Sequence, residues 1–132
     1  MERTSEPERR RVPRWPLRPP IRAQLLLGAR PATVFVLNVS ETGCGALLQT
    51  VRSDVAPGSS AKLSLDLARD LSSLGSATSV SVRHVRNRDH GVYVGLLFGS
   101  GPDGDAMRNR VRTFLSREER MAQARQRAWG DD

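Results

Sequence analysis

This sequence predicts an all-β domain, an antiparallel barrel or sandwich, followed by a helix, and three observations carry that expectation. Six segments between residues 21 and 98 have the β-branched and apolar content of strands and are joined by short turns. One of them, Ala61-Lys62-Leu63-Ser64-Leu65-Asp66-Leu67, alternates polar and apolar residues so cleanly that one face must be buried. After residue 102 the apolar period lengthens: Met107, Val111, Phe114 and Leu115 recur at helical spacing and form a stripe that can cover an open end of the sheet.

Residues 1–20 contain Pro7, Pro13, Pro16, Pro19 and Pro20 and no periodic apolar pattern, which reads as a flexible arginine-rich arm. Ile21 to Leu27 and Ala32 to Val39 are the first two strands, with Gly28-Ala29-Arg30-Pro31 as the turn between them. Ala46 to Val51 is the third. Pro57-Gly58-Ser59-Ser60 turns the chain into the alternating segment, whose Lys62, Ser64 and Asp66 face solvent. Ser76 to Arg86 follows with Val80, Val82 and Val85 inward, and Asn87 to His90 returns it into Gly91 to Phe98. The sheet domain so bounded spans 21–102, and the helix spans 103–129. Asp103 or Asp105 caps its start, and Ser116 with Glu119 resembles a capping box that would restart it after a kink. Beyond Met121 the stripe fades, so the last turns are expected to be exposed or frayed.

A chain of 132 residues suits one domain with a modest core. Its single cysteine, Cys44, excludes an internal disulfide framework, and one cysteine with two histidines cannot supply a structural zinc site. A reducing cytoplasm is the natural setting, and Leu25-Leu26-Leu27 is too short for a signal-peptide core or a membrane span. Gly99-Ser100-Gly101-Pro102-Asp103-Gly104 satisfies a literal G-x-G-x-x-G, yet a dinucleotide fold needs a parallel strand after that helix and none follows. Ser40, His84 and His90 are not brought together by any pattern, so no catalytic set is read, and Cys44 reads as a small buried filler.

The net charge of +7 is unevenly spread. Residues 1–30 hold eight arginines against three glutamates, whereas 31–102 and 103–132 are each close to neutral, so the middle of the chain is read as having no basic stripe. All but Lys62 of the 21 basic residues are arginine, a surplus that codon usage can explain, although not its concentration at one end. Arg9-Arg10-Arg11-Val12-Pro13-Arg14 presents guanidinium forks, which pair bidentately with phosphate and in the same geometry meet O6 and N7 of guanine. Alone, these arginines are more plainly a solvated basic tail. Asn38-Val39-Ser40-Glu41-Thr42-Gly43 adds an amide and a hydroxyl leaving the strand on one face and a glycine that permits a tight turn or close backbone approach. It is equally a plain strand-end turn.

Taken together, Arg10 and Arg14, then Asn38, Ser40 and Gly43, then Gly95-Leu96-Leu97-Phe98, resemble the signature of the PilZ domain, the bacterial receptor module for cyclic di-GMP, over about residues 8–115. The resemblance implies a six-stranded antiparallel β-barrel with a C-terminal α-helix and a flexible N-terminal arm that wraps the nucleotide. It also implies that Arg10 and Arg14 bind phosphate and the Hoogsteen edge of guanine, that Asn38 and Ser40 contact a guanine base, and that Gly43 lets it approach the backbone. Asn38 stands where aspartate is commoner. Arg9 and Arg11 can assist, and Trp15 can either stack on a base or anchor the arm. The expected activity is that of a non-enzymatic receptor, with no metal or cofactor, which signals to a downstream protein partner through the C-terminal helix. One alternative is a PilZ-fold interaction module that binds no nucleotide. The other, a small nucleic-acid-binding protein, is disfavoured because three Phe, two Trp and one Tyr leave few rings on which bases could stack.

Overall fold

Alternating side chains and glycine- or proline-marked turns set the path of the chain in the computed structural model, which describes residues 14–28, 30–49, 55–65 and 77–130. Among the described residues there are six strands, β1 (Trp15–Leu27), β2 (Arg30–Val39), β3 (Gly43–Leu48), β4 (Ser60–Ser64), β5 (Thr78–Arg88) and β6 (Gly91–Phe98), followed by helix α1 (Pro102–Gly130). All pairings are antiparallel. In the order β1-β2-β3-β6-β5-β4 the sheet closes into a barrel, the last seam joining Gln24, Leu25 and Leu26 of β1 to Ser64, Leu63 and Lys62 of β4.

Period-two alternation fills the interior. Leu25, Val34, Val36, Ala46, Leu48, Leu63, Val82 and Val94 are all buried within it, with β-branched residues prominent as pleated surfaces favour. Helix α1 covers one end, burying Met107 and Val111 fully and Phe114 and Leu115 in part. Lys62 points outward as expected, while Asp66 and Leu67 lie outside the described residues.

Several boundaries differ from the expectation. The first strand starts at Trp15 rather than 21, because Trp15 and Pro16 pair with Val39 and Asn38 before an irregularity resumes pairing at Ile21↔Val36. Prolines at 16, 19 and 20 donate no ladder bonds, but their fixed φ suits extended chain at a bulged edge, and buried Leu17 holds the segment down. Residues 1–13, which contain the rest of the expected arm, are outside the described set. β3 begins three residues before the expected Ala46, since Gly43 and Gly45 pair as strand residues with Leu97 and Gly95 of β6. The helix is continuous through Ser116, where a restart was expected. Arg, Glu, Ala, Gln and Met on both sides are strong helix formers, and they carry the helix past one cap-like pair.

Pro102 occupies the first helical position, where a missing N–H costs nothing. Asp103 then ties the helix to the barrel: one carboxylate oxygen accepts the amide of Ser79 on β5 at 2.9 Å, and the other accepts the amide of Gly104 at 2.9 Å. The Ser79 amide and, less strongly, that of Gly104 hold the carboxyl below the ordinary aspartate range. A depressed folded-state value means that the stabilisation is present above the unfolded-state pKa and is lost as pH falls through the folded one. An acid titration followed by the Ser79 amide resonance should therefore have its midpoint below about pH 3.9, the ordinary aspartate value. Asp103→Asn should abolish that step while leaving the neutral-pH spectrum of the barrel intact.

Candidate anion-binding cleft

The turn from β2 to β3 is built around Ser40. Its Oγ accepts the amides of Thr42 at 3.2 Å and Gly43 at 3.3 Å, and its own amide donates to the Gly43 carbonyl at 2.8 Å. With 4% of its surface exposed, Ser40 is committed to the turn rather than to solvent. Gly43 is fixed by the neighbouring strand: a Cβ there would overlap the backbone carbonyl oxygen of Leu96. The carboxylate of the motif, Glu41, receives a hydrogen bond from Arg112 of α1 at 3.3 Å.

Beside this turn the outward positions of β3 and β6 carry little bulk. Gly45 sits opposite Gly95, and two rings lie over them. A Cβ on Gly45 would overlap the Tyr93 hydroxyl and approach the Asn38 amide nitrogen to 3.0 Å, and a Cβ on Gly95 would come within 2.7 Å of the His84 ring. The Tyr93 hydroxyl accepts a hydrogen bond from Arg14 Nη1 at 3.1 Å. Asn38 is thus brought beside Arg14 through Tyr93, and its buried Oδ1 has no hydrogen-bond partner among the described residues. A buried carbonyl without a donor is costly, and a ligand N–H would relieve it.

The opposite wall comes from β5. Its pairing with β6 skips from Val82↔Leu96 to His84↔Gly95, so Arg83 is the extra residue of a bulge. Alternation from Val80 and Val82 puts Arg83 outward, and the bulge sets His84 outward beside it, so that Arg86 and Arg88 follow on the same side instead of turning inward. The Arg88 guanidinium lies 5.8 Å from the centre of the Tyr93 ring, within cation–π range. Arg14, the Ser40–Gly43 turn and this β5 row together enclose a cleft of about 590 Å³ whose lining, among the described residues, holds four arginines and no carboxylate.

Of the residues singled out from sequence, the structure brings Arg14, Ser40 and Gly43 to this cleft and sets Asn38 next to it. Arg9, Arg10 and Arg11 lie outside the described residues. Trp15 is elsewhere: it packs half-buried against the core and lines a separate groove of about 490 Å³ with Phe114 and Glu118 of α1, the position of an anchor for the strand. The expectation that the middle of the chain has no basic stripe is corrected by Arg83, Arg86 and Arg88. Summed charge hid them, because Glu41, Asp54, Asp66, Asp70 and Asp89 cancel them in number whatever their position. The alternation of Arg86 and Arg88 in a strand was the available signal.

Cys44 points inward from β3, and burial pushes its thiol up to about 12 against a smaller opposing pull from the Arg14 charge. A thiol so rarely ionised is a poor nucleophile. Iodoacetamide at pH 8 should leave the folded protein unlabelled over hours and label it stoichiometrically in denaturant, as mass spectrometry would read. Among the described residues no group of three or more His, Cys, Asp or Glu side chains could hold a metal ion, and no helix is long and apolar enough to cross a membrane.

Three comparisons place this architecture. The isolated PilZ domain of YcgR from Escherichia coli, solved with c-di-GMP, matches with a TM-score of 0.60 at 19% identity, over 88% of this chain and 98% of that one. The Bacillus subtilis inhibitor of motility, MotI/DgrA, matches with a TM-score of 0.62 at 17% identity, over 84% of this chain and 52% of that one. The MrkH–c-di-GMP complex of K. pneumonia matches with a TM-score of 0.61 at 18% identity, over 86% of this chain and 55% of that one. This chain therefore spans nearly the whole of the first and about half the length of the other two. At these identities the likeness is one of fold. No curated protein matches the chain. The family model of the PilZ domain matches residues 8–117, most of the sequence and every strand and turn described above, and on that match the chain belongs to the PilZ domain family.

Proposed function

We propose that the chain is a non-enzymatic receptor for cyclic di-GMP, bound in the cleft between the Ser40–Gly43 turn and β5. The observation that carries this reading is the lining of that cleft, which among the described residues holds four arginines without a carboxylate, beside a buried Asn38 oxygen that no described residue donates to. A cyclic dinucleotide offers what these groups need: two phosphodiester anions for guanidinium forks, and guanine N–H groups for the amide oxygen. The ligand named for the YcgR and MrkH structures supports the assignment.

In this reading Arg14 leaves Tyr93 for the nucleotide, and Arg10, four residues earlier, closes from the arm with Arg9 or Arg11 assisting. Asn38 meets a guanine edge. Ser40 and Gly43 act by holding the turn and the β3–β6 spacing, so that the base can reach the backbone. Titration calorimetry of the wild-type protein with cyclic di-GMP should give saturable heat at micromolar ligand, and no heat at that concentration would overturn the assignment.

Signalling to a protein partner is the second part of the proposal, and helix α1 supports it. Its 29 residues extend about 43 Å at 1.5 Å per residue, yet burial ends near Leu115, and Met121 and Trp129 are 47% and 79% exposed. The same surface suits an interaction module that needs no nucleotide. A pulldown that recovers one partner equally with and without cyclic di-GMP, from protein that gives no calorimetric signal, would favour that module over the receptor.

A further inference from the structure

The two sequence motifs account for only part of the charge in the cleft. Arg14 stands on one side, next to the Ser40–Gly43 turn, whereas Arg83, Arg86 and Arg88 stand on the other and belong to neither motif. We infer that these three residues form a second anion-binding wall, which grips phosphate of the bound dinucleotide from the side opposite Arg14. This rests on reading the cleft as the nucleotide site.

The row is built rather than accidental. Alternation puts Arg83 on the outer face, the bulge sets His84 beside it and thereby brings Arg86 and Arg88 outward too, and the Arg88 guanidinium lies over the Tyr93 ring. Like charges gathered in one cleft repel one another, and with no carboxylate among the described lining residues the natural counter-charge is an anionic ligand. The volume, about 590 Å³, lies within the range of roughly 300–1,000 Å³ usual for small-ligand sites. That size suits a dinucleotide better than the open track on which a nucleic-acid backbone runs. Gly43 and Gly95 line the cleft between the walls, with the His84 ring over Gly95.

The test is calorimetry with cyclic di-GMP on wild type, Arg86→Gln, Arg88→Gln and the double variant, at low and high salt. Arg120→Gln serves as a control that removes the same charge from the exposed outer part of α1. Each β5 variant should weaken binding about tenfold, as expected for loss of one charge-assisted hydrogen bond, and should flatten the salt dependence, while the control stays within about twofold of wild type. All three side chains are exposed, so melting temperatures should not change. Wild-type affinity in the β5 variants, or an equal loss in Arg120→Gln, would overturn the second wall and leave the receptor standing. No heat with wild type would overturn the receptor itself and the wall with it. A single-stranded RNA oligonucleotide, titrated in parallel, should bind more weakly than the dinucleotide. Equal affinity, lost in the same variants, would assign the row to nucleic acid and overturn the inference.

Discussion

Arg14→Ala should weaken cyclic di-GMP binding by about ten- to a hundredfold and leave the fold unchanged. Hydrogen bonds to charged groups contribute about 1.5–3 kcal/mol each, and 1.4 kcal/mol is a factor of ten in affinity. The effect on stability is small because the side chain is exposed and its hydrogen bond to the Tyr93 hydroxyl is exposed as well. Arg14→Lys separates charge from geometry: an ammonium retains the attraction but not the fork, so it should recover only a minor part of the loss. Calorimetry and thermal melts on the three proteins check both halves. An Arg14→Ala protein that binds like wild type would mean that Arg14 belongs to the Tyr93 contact alone.

Gly43→Ala should be the most destabilising single-methyl change in the candidate site, by about 1–3 kcal/mol, the usual cost of overpacking. The added carbon would overlap the Leu96 carbonyl oxygen, and backbone cannot rotate away as a side chain would. Strands β3 and β6 would have to separate along a seam running from Gly43↔Leu97 to Leu48↔Val92. For a domain of this size each kcal/mol lowers Tm by roughly 4 °C. The melt must be done without ligand, so that loss of stability is read apart from loss of affinity. Wild-type Tm combined with lost binding would show that this glycine serves the nucleotide rather than the barrel.

Strands whose alternation is undisturbed were readable in advance. Ala61, Leu63 and Leu65 of the alternating segment, and Val80 and Val82 of β5, are buried as their period requires, because a pleated strand with one buried face leaves little freedom of register. The sequence misleads where backbone geometry departs from that period. Prolines at 16, 19 and 20 concealed the start of β1, since a residue without an N–H looks like a break although its φ is extended. Gly43 looked like a hinge residue but is a strand position where a neighbour comes too close for a side chain. The motif residues at 14, 38, 40 and 43 were legible because their order and spacing are local. Arg86 and Arg88 were not, since a single bulge reverses the face they present, and no charge sum can show on which side of a strand an arginine lies.

The pairing of Glu41 with Arg112 joins the turn of the cleft directly to the covering helix, across 71 positions of sequence. Both side chains are substantially exposed, at 44% and 57%, and an ion pair in that setting contributes at most about 1 kcal/mol. As a transmission link it is therefore a weak spring. By itself it can bias the helix between two positions by no more than about fivefold, and raising the salt concentration loosens it further.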